Sequence, residues 1–113
     1  MPHCIIEYSK EIEKEISVQE MMTKTYQGAL GSKLFTPLDI KTRAIAFEHY
    51  QTAELRENFI HIDIKILSGR TIEQRKKLSD AVLNEFKEIQ IKPLSITIQI
   101  SELEKESYSK IVR

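Results

Sequence analysis

Isoleucines at 60, 62, 64 and 66 alternate with His61, Asp63 and Lys65, a period of two in β-branched residues that predicts a half-buried strand. Ile96, Ile98 and Ile100 alternate in the same way with Thr97, Gln99 and Ser101. Residues 3–9 and about 39–50, the latter containing Lys41-Thr42-Arg43-Ala44-Ile45-Ala46-Phe47, are less regular strand segments. Two further stretches change period. Val18, Met21, Met22, Tyr26, Ala29 and Leu30 recur at spacings of three and four, as do Leu78, Ala81, Val82, Phe86 and Ile89, opposite Lys76, Lys77, Asp80 and Lys87. Both predict helices with one buried face. Each starts with a capping-box sequence, Ser17 to Glu20 and Thr71 to Gln74. Gly31 offers a stop to the first helix, and Ser68-Gly69 a turn before the second.

The order is therefore strand, helix, strand, then strand, helix, strand. Each half predicts a βαβ unit with parallel strands. The expected fold is of the α/β (α+β) class, two βαβ repeats forming one four-stranded mixed sheet with both helices on one face. At 113 residues this is a single domain, 1–113. Nothing in the chain is left to cover the other sheet face. Sheets with parallel pairs are usually covered on both faces, so a substantial apolar remainder covered by a partner, and hence an oligomer, is expected.

Composition narrows the function by exclusion. Lys plus Arg and Asp plus Glu each number 17, so no overall charge field favours nucleic acid or a membrane surface. No apolar run has the length of a membrane span, and the amino-terminal residues lack the basic and apolar regions of a signal peptide. Cys4 is the sole cysteine and has no internal disulfide partner. A cytoplasmic setting is the expectation. No Gly-rich phosphate loop or nucleophile elbow occurs, and no paired His or Cys spacing suggests a zinc site.

A few residues could carry chemistry. Removal of Met1 would leave Pro2 with a secondary amine at the start of a strand, although Met-Pro openings also arise by chance. Apolar surroundings and a nearby cation could bring such an amine into the range useful for proton abstraction beside a carbonyl. Arg70 stands just before the second capped helix, where it is either a solvated loop arginine or one wall of an anion site with the helix amides. Lys41 and Arg43 project to one face of their strand and either meet solvent, pair with carboxylates such as Glu48, or bind an acidic ligand. His61 reads as a hydrogen-bonded strand histidine, and Cys4 as a small buried hydrophobe.

Pro2-His3-Cys4-Ile5-Ile6-Glu7-Tyr8-Ser9, Lys41-Thr42-Arg43-Ala44, Glu48-His49-Tyr50 and Gly69-Arg70-Thr71-Ile72-Glu73-Gln74-Arg75-Lys76-Lys77 together resemble one family. It is the 5-carboxymethyl-2-hydroxymuconate Δ-isomerase family of the tautomerase superfamily, which includes 4-oxalocrotonate tautomerase. The resemblance spans nearly the whole chain. It implies a pseudo-two-fold pair of βαβ repeats, a homotrimer, and isomerisation of a carboxylate-bearing dienol in breakdown of homoprotocatechuate-like aromatic compounds, without metal or cofactor. It further implies Pro2 as general base, with Arg70 on a carboxylate or 2-oxo group and the strand cations on another carboxylate. Lys41 stands where the family pattern has the first arginine of an R-x-R pair, and supplies charge without the planar fork. The same base would serve keto–enol tautomerisation of a small 2-oxo acid. The contrasting case is an oligomeric binding protein that only holds an acidic ligand.

Overall fold

A computed structural model of the chain describes residues 1–54 and 56–113. Its elements are β1 (His3–Ser9), α1 (Val18–Gly31), β2 (Lys41–Phe47), β3 (Asn58–Leu67), α2 (Ile72–Phe86) and β4 (Leu94–Leu103), with short 3-10 turns at Lys10–Lys14, Pro37–Asp39 and Lys105–Ser107. The sheet order is β2-β1-β3-β4. β1 and β2 are parallel, β3 and β4 are parallel, and β1 meets β3 antiparallel in the middle. The two βαβ repeats expected from the periodicity are thus present, joined about the central antiparallel pair.

Alternation decides what each face carries. Cys4, Ile6, Ile60, Ile62 and Ile64 have no exposed surface, and with Ile66 and Tyr8 they face the helices. Register brings Ile6 opposite Ile62 and Ile62 opposite Ile98, so the isoleucine columns pack across three strands. Leu78, Val82 and Phe86 of α2 and Met21, Thr25, Gly28 and Ala29 of α1 close the core from above. Burying each large side chain stabilises by roughly 1.5–3 kcal/mol. The Thr25 hydroxyl is satisfied inside by donating to the Met21 carbonyl (2.9 Å).

The helix starts differ in one respect from expectation. Thr71 and Gln74 form the full reciprocal box: the Gln74 N–H donates to the Thr71 hydroxyl (3.1 Å) and the Thr71 N–H donates to the Gln74 side-chain oxygen (2.9 Å). At the other helix Ser17 accepts from the Glu20 N–H (3.0 Å), whereas the Glu20 carboxylate lies toward Lys24 (3.9 Å) one turn on. β2 is also shorter than the 39–50 segment, because Pro37–Asp39 forms a 3-10 turn and pairing with β1 ends at Phe47.

The open sheet face is more polar than the sequence expectation of a large apolar remainder. It presents His3, Glu7, Arg43, His61, Asp63, Lys65, Thr97, Gln99 and Ser101, with Ile5, Ile45 and Phe59 between them. His61 bonds both the Thr97 hydroxyl (2.6 Å) and the Gln99 side-chain oxygen (3.0 Å), the strand role expected of it. Gln99 donates to Ser101 (3.2 Å), and Ser101 donates to Asp63 (2.6 Å), which pairs with Lys65 (3.0 Å). This lattice of side chains satisfies itself without a covering helix. Among the described residues no helix is long and apolar enough to cross a membrane.

α1 and α2 touch at Gly28. A Cβ built there would lie 2.6 Å from the Val82 Cα, whereas one on Gly31 would meet nothing within 4 Å. Gly28→Ala is therefore expected to destabilise by about 1–3 kcal/mol through overpacking. Gly31→Ala is expected to be neutral or to stabilise by up to ~1 kcal/mol. Urea unfolding of both variants checks this, and equal midpoints would remove the close helix contact from the account.

Candidate active site

The first ladder bond of the sheet is made by the Lys41 N–H to the Pro2 carbonyl (3.1 Å). It places the chain start beside the opening of β2. The Pro2 side chain is fully enclosed, and Met1 continues from it into a groove of about 700 Å3. Ile66, Leu67, Ser68, Gly69 and Arg70 form one wall as β3 turns toward α2, Phe35 and Asp39 a second, and Lys105, Tyr108 and Lys110 of the carboxy-terminal segment a third.

Local bonds hold these walls. The Ser68 N–H donates to the Leu103 carbonyl (2.8 Å), and the Ser68 hydroxyl accepts from the Lys105 N–H (3.1 Å). The tail is thereby stitched to the turn after β3. Gly69 has φ +120°, a conformation that side chains resist, and it lets the chain swing Arg70 toward the groove. The Arg70 guanidinium donates to the Leu34 carbonyl (2.9 Å) and sits 5.7 Å from the centre of the Phe35 ring. One of its five N–H donors is used there. The Thr71 box then starts α2 beside it, while Arg75 pairs with Glu102 (3.3 Å) and ties α2 to β4.

The groove is cationic. Arg70, Lys105 and Lys110 line it, against Asp39 as its one acid among the described residues. Asp39 accepts from the Thr36 hydroxyl (2.9 Å) and lies 3.6 Å from Lys110. The Thr36 hydrogen bond, then Lys110 and the chain terminus, hold its carboxyl below the ordinary value. The Met1 amine is likewise displaced below its ordinary value of 8.0, first by burial and then by Lys41, with Asp39 opposing.

The sequence-expected residues divide into two groups. Arg70 lines the groove, and Pro2, fully enclosed, adjoins it through Met1. Lys41 and Arg43 lie alongside on β2: Lys41 donates to the Asp39 carbonyl (3.2 Å), and Arg43 donates to the Nδ1 of His3 (3.2 Å). Neither lines the groove directly. Cys4 has no exposed surface, and burial pushes its thiol up to about 12, which leaves it a hydrophobe. Glu48 and Tyr50 sit at the far end of the sheet, around a smaller cavity shared with Phe47 and Arg56. Among the described residues no group of three or more His, Cys, Asp or Glu side chains gathers as a metal site would require. Lys105, Tyr108 and Lys110 were not legible in the sequence, since the tail has no periodicity and its bonds to Ser68, His3 and Asp39 bring it to the groove.

Comparison with known proteins fits this geometry. The chain superposes on a crystal structure of a 5-carboxymethyl-2-hydroxymuconate delta-isomerase with a TM-score of 0.87 at 15% identity, covering 99% of this chain and 89% of that one. A 5-carboxymethyl-2-hydroxymuconate isomerase from Deinococcus radiodurans R1 gives a TM-score of 0.81 at 25% identity, covering 99% and 90%. A fused 4-OT described as an asymmetric trimer shares the fold at a TM-score of 0.74 and 9% identity, over 96% and 91%. No curated protein sequence matches the chain. The family model for 5-carboxymethyl-2-hydroxymuconate isomerase, however, matches residues 2–111. With nearly every residue inside that match, the chain belongs to the 5-carboxymethyl-2-hydroxymuconate isomerase family, isomerases of the tautomerase superfamily.

Proposed function

We propose that the protein moves a proton along a 2-hydroxymuconate-type dienoate, with the Pro2 amine as general base once Met1 is removed. The observation that carries this is the chain start itself: it opens into a cationic groove where burial and Lys41 already weaken the proton affinity of the Met1 amine. Without Met1, the secondary amine of Pro2 takes that place, one residue deeper. A neutral amine there accepts the proton of the 2-hydroxyl group. The electrons shift to give a 2-oxo group, and the proton returns to carbon farther along the conjugated chain as the double bond moves. Oxygen loses one proton and carbon gains one, so no cofactor or redox partner enters the balance.

Carboxylates suit the surroundings. Arg70 holds one of them, or the 2-oxo group, with N–H donors beyond the one given to Leu34. Lys41 and Arg43 supply the second cationic position next to the chain start. The substrate class is a small dicarboxylate or tricarboxylate from homoprotocatechuate-like aromatic breakdown, a cytoplasmic task. Assembly as a homotrimer is supported by the trimer named for the fused 4-OT.

An ultraviolet assay of 5-carboxymethyl-2-hydroxymuconate isomerisation, on protein whose intact mass shows Met1 absent, tests the reaction. Pro2→Ala is expected to lower kcat/KM by ~10²-fold or more with the fold intact. If burial and Lys41 act on the Pro2 amine as they do on the Met1 amine, the acid limb of the wild-type profile should lie below the pKa of a free prolyl amine, because a depressed pKa keeps the base neutral to lower pH. Undiminished turnover in the variant would remove Pro2 as the base, and no turnover by the processed wild-type protein would leave a binding protein. Arg70→Ala is expected to raise KM roughly tenfold or more through loss of a charged hydrogen bond, and an unchanged kcat/KM removes Arg70 from the site. Sedimentation equilibrium should show three chains per particle; a monomer at assay concentration refutes the trimer.

A further inference from the structure

Three side chains stand in series where the open sheet face meets the groove. Arg43 Nη1 lies 3.2 Å from His3 Nδ1, and His3 Nε2 lies 3.0 Å from the Tyr108 hydroxyl. The order of their protons follows from chemistry. A guanidinium offers only N–H donors, so His3 Nδ1 must accept. An imidazole that accepts at Nδ1 carries its single proton at Nε2, and that N–H donates to the Tyr108 oxygen. Burial, then Arg43, holds the His3 pKa below its ordinary value, in keeping with a neutral ring.

The phenol is left with a proton to give. Among the described residues its hydroxyl has no hydrogen-bond partner other than His3, and His3 already acts as the donor. Tyr108 also lines the groove together with Met1, Arg70 and Lys105. Arg70 and the lysines bind anions as positive charges, whereas Tyr108 offers a neutral O–H whose direction is set from behind. A hydroxyl that must accept from a fixed N–H cannot rotate freely, so its own proton is confined to the directions left over.

We propose that Tyr108 donates its phenolic proton to an anionic oxygen of the molecule bound in the groove, and that His3 is the residue that orients it. This rests on the groove being the site of the reaction proposed above. The oxygen is either a carboxylate of the ligand or the 2-oxygen on which charge develops as Pro2 removes its proton. Tyr108 then touches substrate, and His3 acts only through Tyr108.

Two measurements test it. The first is calorimetric binding of 2-oxohexanedioate, a 2-oxo dicarboxylate without the conjugated double bonds. The second is steady-state kinetics with 5-carboxymethyl-2-hydroxymuconate. For Tyr108→Phe, loss of a hydrogen bond to a charged oxygen is expected to cost roughly ten- to a hundred-fold. If the acceptor is a carboxylate, the loss falls on probe affinity and KM; if it is the developing enolate, it falls on kcat. Unchanged affinity and unchanged kcat/KM overturn the proposal. Weaker probe binding in a protein that never isomerises the dienoate keeps the donor and removes the reaction. Wild-type protein that does neither overturns both.

For His3 the test is coupling. His3→Phe should match Tyr108→Phe and add nothing in the double variant, while His3→Gln, which keeps an acceptor and an N–H donor, should restore most of the loss. Additive losses, or no rescue by Gln, would show that His3 does not orient Tyr108.

Discussion

Ile6 and Ile62 face each other where β1 and β3 run antiparallel through the middle of the sheet, and neither has exposed surface. A slip of one residue in this pairing would turn Ile60, Ile62, Ile64 and Ile66 to the open face and drive His61, Asp63 and Lys65 under the helices. Desolvating those polar groups would add to the lost apolar burial, so the register is held from both sides of the sheet. The groove inherits that register. His3 opposite Lys65 sets the chain start beside the last residues of β3, from which the Gly69 turn carries Arg70 back over it.

A chain with equal numbers of acidic and basic residues can still concentrate one sign where it matters. Three cations and one carboxylate line the groove, and Lys41 stands just behind the chain start. The same positive potential that suits a carboxylate ligand also lowers the proton affinity of an amine placed within it. In the proposed reaction, ligand binding and base strength would therefore be coupled through one local field, moderated by Asp39.

Much of the fold was legible because it rests on periodicities that one sequence displays. The isoleucine alternation marked β3 and β4, and the three-and-four spacings marked both helices with starts at Ser17 and Thr71. The edge of β2 was less clear, since Ala44 and Ala46 under α1 give little contrast with their neighbours. Pro2 and Arg70 were recognisable as residue types at strand and helix starts, and the family resemblance joined them. Tyr108, Lys105 and Lys110 were not, because nothing periodic marks a tail whose place depends on Ser68 and His3 some forty and a hundred residues away. The polar open face was visible in the alternation itself, but its apolar content was overestimated: the odd positions of all four strands had to be set in register before their hydrogen-bonded lattice could be seen.

The clamp on the chain start also orders events in time. In the folded protein the Pro2 carbonyl is held by the Lys41 N–H, and its ring is wholly enclosed. An aminopeptidase needs an extended end to grip, and the Met1–Pro2 peptide bond is not presented as one. If Pro2 is the base, trimming belongs to the interval when the segment is emerging and β1 has not yet found β2 and β3. A copy that folds first encloses Pro2 with Met1 lying in the groove, and keeps a tertiary amide at the position proposed for the base. The specific activity of a preparation would then record the race between trimming and folding during synthesis, beyond the reach of peptidase added to the finished protein.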